Sequence, residues 1–292
     1  MESYENYPVT GHVYEHVYDL LEHNPSIKEE KAIIFLVNWP YGFGSALTIH
    51  IQNEIFLNNI NKNLTILPHY SNNSRNFKYH DKADHNSFFR YFKYKDSVDM
   101  SRNIYFVKTA VFTTTPRIIY NMPFLSDATN REQVNYFLSK YTPILNEKVR
   151  TYIDSMKENN RPLIGIHIRS IAQKFMEDKY LLISLDKRLQ NLKKKIENQY
   201  PNAIIFTATD VNLYIDKMKT LFGKIHYLDY IKRIYNEGDS IPQLDRYCGS
   251  ILGRDIMDEC YALSLCDKVY MSNSNVPFIV TMMNQQVDME EY

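Results

Sequence analysis

The feature that most constrains the fold of this chain is the run Lys31-Ala32-Ile33-Ile34-Phe35-Leu36-Val37-Asn38, which between its polar ends is apolar without interruption over the length of a strand. A half-exposed strand alternates apolar and polar residues, whereas a continuous run suits a strand buried on both faces of a parallel sheet. A second run, Leu163 to Arg169, follows Arg161-Pro162 and has the same character. Beyond it the pattern alternates regularly. A helix is predicted over about Glu177 to Asn198, a strand over Ala203 to Thr207, a helix over Val211 to Phe222 and a strand over Lys224 to Leu228. A helix from Arg254 to Leu265, a strand from Lys268 to Met271 and a helix beginning near Val276 complete the series. Strands alternating with amphipathic helices predict an α/β fold with a parallel sheet covered by helices on both faces.

The N-terminal half reads less regularly. A helical pattern through Leu47, Ile51, Ile55 and Ile60 leads to a short strand at Leu64 to Leu67. From His69 to Asp99 the chain is polar and aromatic, with Tyr70, Phe77, Tyr79, Phe88, Phe89, Tyr91 and Phe92. An irregular segment of that length is read as a functional loop, its rings available to stack on sugar faces or to pack in the interior. A long helical pattern covers Arg131 to Asn159, restarted at Pro143. At 292 residues the chain has room for two domains. The expected division is 1–155 and 156–292.

Charge and cysteine usage exclude several classes. Lys+Arg and Asp+Glu are equal at 34 each, so no global field draws the protein onto nucleic acid. The local basic run Lys193-Lys194-Lys195 reads as a solvated helix face. Cys248, Cys260 and Cys266 form neither a disulfide framework nor a zinc pattern, and are expected to be reduced thiols. The start of the chain is acidic rather than apolar, and no run of about 18 apolar residues occurs. A cytoplasmic location is therefore expected, with the sequons at Asn63 and Asn72 accidental in an Asn-rich chain.

In open α/β sheets ligands sit beyond the carboxyl ends of the strands, and three such ends carry polar chemistry. Gly42-Phe43-Gly44-Ser45 lies between a strand and a helix, as either a tight turn or a loop whose backbone approaches a phosphate. Leu47 stands where a dinucleotide fingerprint needs a small residue, which disfavours a nicotinamide cofactor. In His167-Ile168-Arg169 the period of two puts His167 and Arg169 on one side of the strand. A guanidinium grips phosphate in bidentate fashion, and an imidazole beside it adds a hydrogen bond. Ser272-Asn273-Ser274-Asn275-Val276 is either an ordinary helix cap or a second anion cradle.

Taken in order, Gly165-Ile166-His167-Ile168-Arg169, Ile205-Phe206-Thr207-Ala208-Thr209-Asp210, Gly253-Arg254-Asp255-Ile256-Met257-Asp258 through Asp267, and Ser272 to Val276 resemble a fucosyltransferase superfamily. It comprises the α1,6-fucosyltransferases including the nodulation enzymes, the protein O-fucosyltransferases and their α1,2 relatives. The match spans about residues 160 to 285, with weaker support from Gly42 to Ser45. The resemblance implies a GT-B architecture of two Rossmann-like domains facing a cleft, the C-terminal one binding GDP-fucose. It implies that Arg169 holds the donor diphosphate with His167 beside it, and that Asp258 or Glu259 binds the guanine or ribose end. It also implies that Ser274 and Asn275 receive phosphate oxygens. Asp210, at the end of the Ala-Thr-Asp stretch, joins the expected substrate-binding set with Gly42, Gly44 and Ser45. Many members carry a second basic residue after the Arg; here it is Ser170, so that phosphate contact is either missing or supplied elsewhere, with Lys174 and Arg254 as candidates.

Releasing a nucleoside diphosphate from an anomeric carbon requires neutralisation of the departing charge and removal of a proton from the incoming hydroxyl. The chain contains no Asp-x-Asp pair of the kind that holds a divalent metal in many glycosyltransferases, so Arg169 and helix termini are expected to act without metal or other cofactor. Glu177 is the expected base, with Asp178 as the alternative; either also suits the start of a helix. The reaction expected is inverting transfer of fucose, or of another GDP- or UDP-linked sugar, to a glycan or protein acceptor. A degenerate module that binds without turnover is the reading from a different class.

Overall fold

The computed structural model describes residues 4–37, 43–70, 86–108, 128–157, 161–169, 185–234, 249–272 and 274–292. The chain divides into two compact units, Met1–Ile144 with Cys248–Arg254, and Leu145–Tyr247 with Asp255–Tyr292.

The first unit is built on a parallel four-stranded sheet with the order β1-β5-β2-β3. Its strands are β1 (Val13–Tyr14), β2 (Ala32–Val37), β3 (Thr65–His69) and β5 (Asn103–Lys108). The apolar run that dominates the sequence is the inner strand β2, every residue of which is buried. Ile34 and Leu36 face a cluster with Val17 and Leu20 of helix α1 (Val17–His23), Leu57 of α2 (Phe43–Ile60), Ile66 and Val107. Phe35, on the opposite face, stacks on Phe106 and Tyr7 at centroid distances of 5.4 and 5.7 Å. Strand β5 pairs along the whole of β2, although its mixed sequence carries no run that announces it.

Of the two roles open to the rings between His69 and Asp99, interior packing is the one found where the region is described. Tyr70, Phe88, Tyr91 and Phe92 are fully buried. Phe92 opens strand β4 (Phe92–Tyr94), which pairs antiparallel with β6 (Tyr141–Pro143). Phe88, Phe92, Phe137 and Tyr141 pack ring on ring, with centroids 4.7 to 6.4 Å apart. Their enrichment serves the interior, where each aromatic side chain removes a large apolar area from water. The helical pattern from Arg131 to Asn159 also resolves differently. It forms α3 (Ala128–Lys140) and α4 (Glu147–Met156), with β6 between them, and α4 groups with the second unit.

Helix α2 is buried continuously from Ala46 to Ile51. It also carries a charge into the interior: Glu54 is fully buried and accepts a 2.8 Å hydrogen bond from Lys140 Nζ, which also donates to the Tyr136 hydroxyl. His50 Nε2 lies 3.1 Å from Glu54 Oε2.

The second unit has a parallel sheet in the order β10-β9-β7-β8, formed by β7 (Leu163–Ile168), β8 (Ile204–Thr209), β9 (Lys268–Met271) and β10 (Asp288–Glu291). Ile164, Ile166 and Ile168 face one cluster with α5 (Leu185–Gln199) and α6 (Asn212–Phe222), including Leu189, Leu192, Tyr214 and Met218. Gly165 faces α7 (Gly249–Ser264): a Cβ there would stand 3.0 Å from Leu263 and 3.1 Å from Cys266, so helix and strand approach through the missing side chain. The sheet is thus covered on both faces.

Two strand readings change. The stretch from Lys224 to Leu228 contributes one bridge, Phe206↔His226, rather than a strand. The acidic strand β10, unread in the sequence, is accepted at the sheet edge because Lys268 pairs with Asp288 at 2.8 Å and Glu290 at 3.5 Å. Lys195 also pairs with Glu290, and Lys193 donates to the Leu221 carbonyl at 2.7 Å. The Lys193–Lys195 run is therefore engaged with its own fold. Cys260 and Cys266 are buried thiols, and among the described residues no helix is long and apolar enough to cross a membrane.

Candidate functional site

The polar residues of the second unit collect at the carboxyl edge of its sheet. Arg169 and Asp210 are the first residues after β7 and β8, whose last residues, Ile168 and Thr209, are paired. Arg169 Nη1 lies 3.4 Å from Asp210 Oδ2, and both side chains are about one-third exposed, at 33% and 30%. A 3.4 Å contact between two part-exposed groups is by itself a weak ion pair.

His167 is buried behind Arg169. Its Nδ1 is 3.2 Å from Ser272 Oγ, and the same oxygen accepts the Arg169 N–H at 2.8 Å. The Ser272 hydroxyl can donate to Nδ1 or accept from it, according to the tautomer of His167. The Ser272 N–H donates to the His167 carbonyl at 3.1 Å, and the Tyr292 hydroxyl reaches the same carbonyl at 3.2 Å. Ser272 thus joins the ends of β7 and β9, and Ser274 and Asn275 follow it into α8 (Val276–Met283). Ser274 Oγ accepts the Val276 N–H at 3.2 Å, as a helix-start hydroxyl does.

Helix α7 contributes three acids spaced so that they share one side. Asp258 is buried and accepts from Asn146 Nδ2 at 2.7 Å and from the Tyr230 hydroxyl at 2.8 Å. Glu259 Oε1 accepts from Arg233 Nη2 at 2.6 Å. Asp255 accepts the Lys232 N–H at 2.9 Å. All three acids therefore fasten the segment Tyr230 to Arg233 to α7. Burial pushes the Asp255 carboxyl up to about 6, against a smaller opposing effect of the Lys232 N–H bond, and burial pushes Glu259 up to about 7 against its Arg233 partner.

Neither a protein-family profile nor a curated protein sequence matches the chain. Among solved structures it is similar to NodZ alpha-1,6-fucosyltransferase co-crystallized with GDP, with a TM-score of 0.50 and 14% identity over 90% of this chain and 95% of that one. The fold is GT-B-like. The chain is also similar to fucosyltransferase NodZ from Bradyrhizobium (TM-score 0.45, 15% identity, 86% and 92% covered). A glycosyl transferase of family 9 from Veillonella parvula is similar at a TM-score of 0.39 and 9% identity, with 89% and 80% covered.

Within this GT-B-like fold, His167, Arg169, Asp210, Ser274 and Asn275 belong to strand ends and a helix start of the second unit, while Asp258 and Glu259 lie on α7 and are already engaged by protein partners. Gly44 and Ser45 sit in the first turn of α2 in the first unit. Gly42, Ser170, Lys174, Glu177 and Asp178 lie outside the described residues. Arg254 donates to the Ile144 carbonyl at 2.7 Å. Sequence reasoning missed Arg233 and Tyr230, which sit in no patterned stretch, and Asn146, which lies within the helical pattern from Arg131 to Asn159. Only their acidic partners on α7 carried a signal.

Proposed function

We propose that this protein is a glycosyltransferase that holds the diphosphate of a nucleotide sugar at the carboxyl edge of the second unit's sheet. The observation that carries the reading is Arg169 at the end of β7, its backbone tied to Ser272 and its guanidinium part-exposed beside Asp210 at the carboxyl edge of the sheet. A guanidinium in that place can grip a phosphate in bidentate, charge-assisted fashion. His167 lies beside Arg169 at the same strand end, and the backbone start of α8 with Ser274 and Asn275 supplies a positive helix end.

In this reading Arg169 neutralises charge developing on the departing diphosphate, and fixed donors do so without reorganising during the reaction. A carboxylate, with Glu177 as candidate and Asp178 as alternative, takes the proton from an acceptor hydroxyl, and the sugar inverts in one displacement. The superfamily resemblance supports GDP-fucose as donor, a glycan or glycoprotein as acceptor, and catalysis that uses neither metal nor cofactor. Ser170, where a second basic residue is expected, supports a second reading with another GDP- or UDP-sugar.

Calorimetric titration with GDP, UDP, GDP-fucose and UDP-sugars tests both. Tightest binding of GDP and GDP-fucose, with transfer or donor hydrolysis abolished in Arg169→Ala, is the expected result. Preference for UDP would remove fucose, binding without any turnover would leave a sugar-nucleotide-binding module, and no nucleotide binding would remove the transferase reading altogether.

A further inference from the structure

The Arg233 side chain makes four hydrogen bonds at the sheet edge, and no part of the proposed chemistry uses it. Its guanidinium is almost fully buried and distributes its donors over three segments. Nε donates to the Thr209 carbonyl at 2.9 Å, Nη1 to the carbonyls of Leu228 and Ile231 at 2.9 and 3.3 Å, and Nη2 to Glu259 at 2.6 Å. Arg233, itself held by Glu259, therefore grips the carbonyl of the residue that ends β8. The next residue, Ile234, continues the grip, donating its N–H to the Asp210 carbonyl at 3.0 Å and accepting the Asn212 N–H at 2.9 Å. Asp210 is thus held by its backbone on either side, and it is Asp210 that tethers Arg169.

We infer that Arg233 and Glu259 are positioning residues: together they clamp the Thr209 peptide and thereby set where Asp210, and through it Arg169, stands when a nucleoside diphosphate binds. The clamp is a statement about the fold; its consequence for the ligand rests on the proposed function. Glu259 then acts through Arg233 rather than by touching the nucleotide. The geometry demands arginine, because a lysine ammonium cannot reach a strand carbonyl, a turn carbonyl and a carboxylate with one fixed fork.

Two readouts test this, one of which needs no ligand. Backbone hydrogen exchange of the purified full chain is compared with Arg233→Gln, Arg233→Lys and Glu259→Gln. Amides of residues 209–212 are expected to exchange at least about tenfold faster in both Arg233 variants while those of Leu163–Ile168 keep their protection. Should Arg233→Gln fail to fold, Glu259→Gln is read in its place, since its amide keeps an acceptor and loses only the charge. Unchanged exchange at 209–212 in every folded variant overturns the clamp. For the ligand, GDP affinity is measured in Arg233→Gln, Asp210→Asn and the double variant. About tenfold losses in each single variant with no further loss in the double one are expected, because coupled residues are not additive. Fully additive losses overturn the link to Asp210. If the unmodified protein binds no GDP, the functional reading falls while the exchange result still decides the clamp.

Discussion

Arg169 and Asp210 stand 3.4 Å apart as the first residues beyond two paired parallel strands. The register that sets Ile168 beside Thr209 brings the next two side chains together whatever else the chain does. A guanidinium presented this way has its backbone fixed by the strand end and by Ser272, with its side chain one-third exposed.

Arg169→Ala is expected to lower GDP affinity about tenfold to a hundredfold, the equivalent of the ~1.5–3 kcal/mol of hydrogen bonding to a charged group. Arg169→Lys keeps the charge without the fork and should recover only part of the loss. Thermal unfolding of both variants should stay close to that of the unmodified protein, because the side chain is one-third exposed and its ion pair with Asp210 is long. Calorimetry and melting curves on the same samples check the two statements.

Gly253 should tolerate no side chain. A Cβ at this position would lie 2.3 Å from the hydroxyl oxygen and 2.4 Å from Cζ of the buried Tyr91. Gly253→Ala is therefore expected to destabilise by about 1–3 kcal/mol through overpacking, despite the better helix propensity of alanine. Adding Tyr91→Ala to Gly253→Ala should cost less than the sum of the two, measured by denaturant unfolding.

The buried Glu54–Lys140 pair predicts an asymmetry. Lys140→Met strands the fully buried Glu54 carboxylate and should cost about 3–5 kcal/mol, whereas Lys140→Met with Glu54→Leu removes both charges and should recover much of that loss. Equal destabilisation by the single and the double variant would contradict the ion pair as described.

Asp255 gives a pH prediction. Burial raises its carboxyl in the folded protein to about 6, above its unfolded value of 3.8. The folded state then holds the proton more tightly, so this group's contribution to stability is full below the unfolded value and is lost as pH rises through about 6. Glu259, raised to about 7, acts with the same sign over a slightly higher range. Unfolding free energies measured between pH 4 and 8 should show a downward contribution across this interval, and Asp255→Asn should flatten its lower part. A slope unchanged by that substitution would assign the titration elsewhere.

Much of the fold was legible because it rests on local properties of the chain. Continuous apolar runs at β2 and β7 announced buried parallel strands, and the spacing of helices and strands after residue 160 announced the α/β class. The period of two, with the strand end, placed His167 and Arg169 at the carboxyl edge from sequence alone.

What tertiary structure decided was which polar group meets which. Asn146 reaches Asp258 across 112 residues and Arg233 reaches Glu259 across 26, and no periodicity encodes such a meeting. Strands β5 and β10 are equally opaque, since one is held by its neighbours in the sheet and the other by lysines that neutralise its acids. The aromatic region around Phe88 looked like a loop because its rings are irregularly spaced, and only their packing against Phe137 and Tyr141 shows them to be interior. A one-dimensional pattern reports the face a residue occupies; the partner on that face is fixed only when distant segments close on one another.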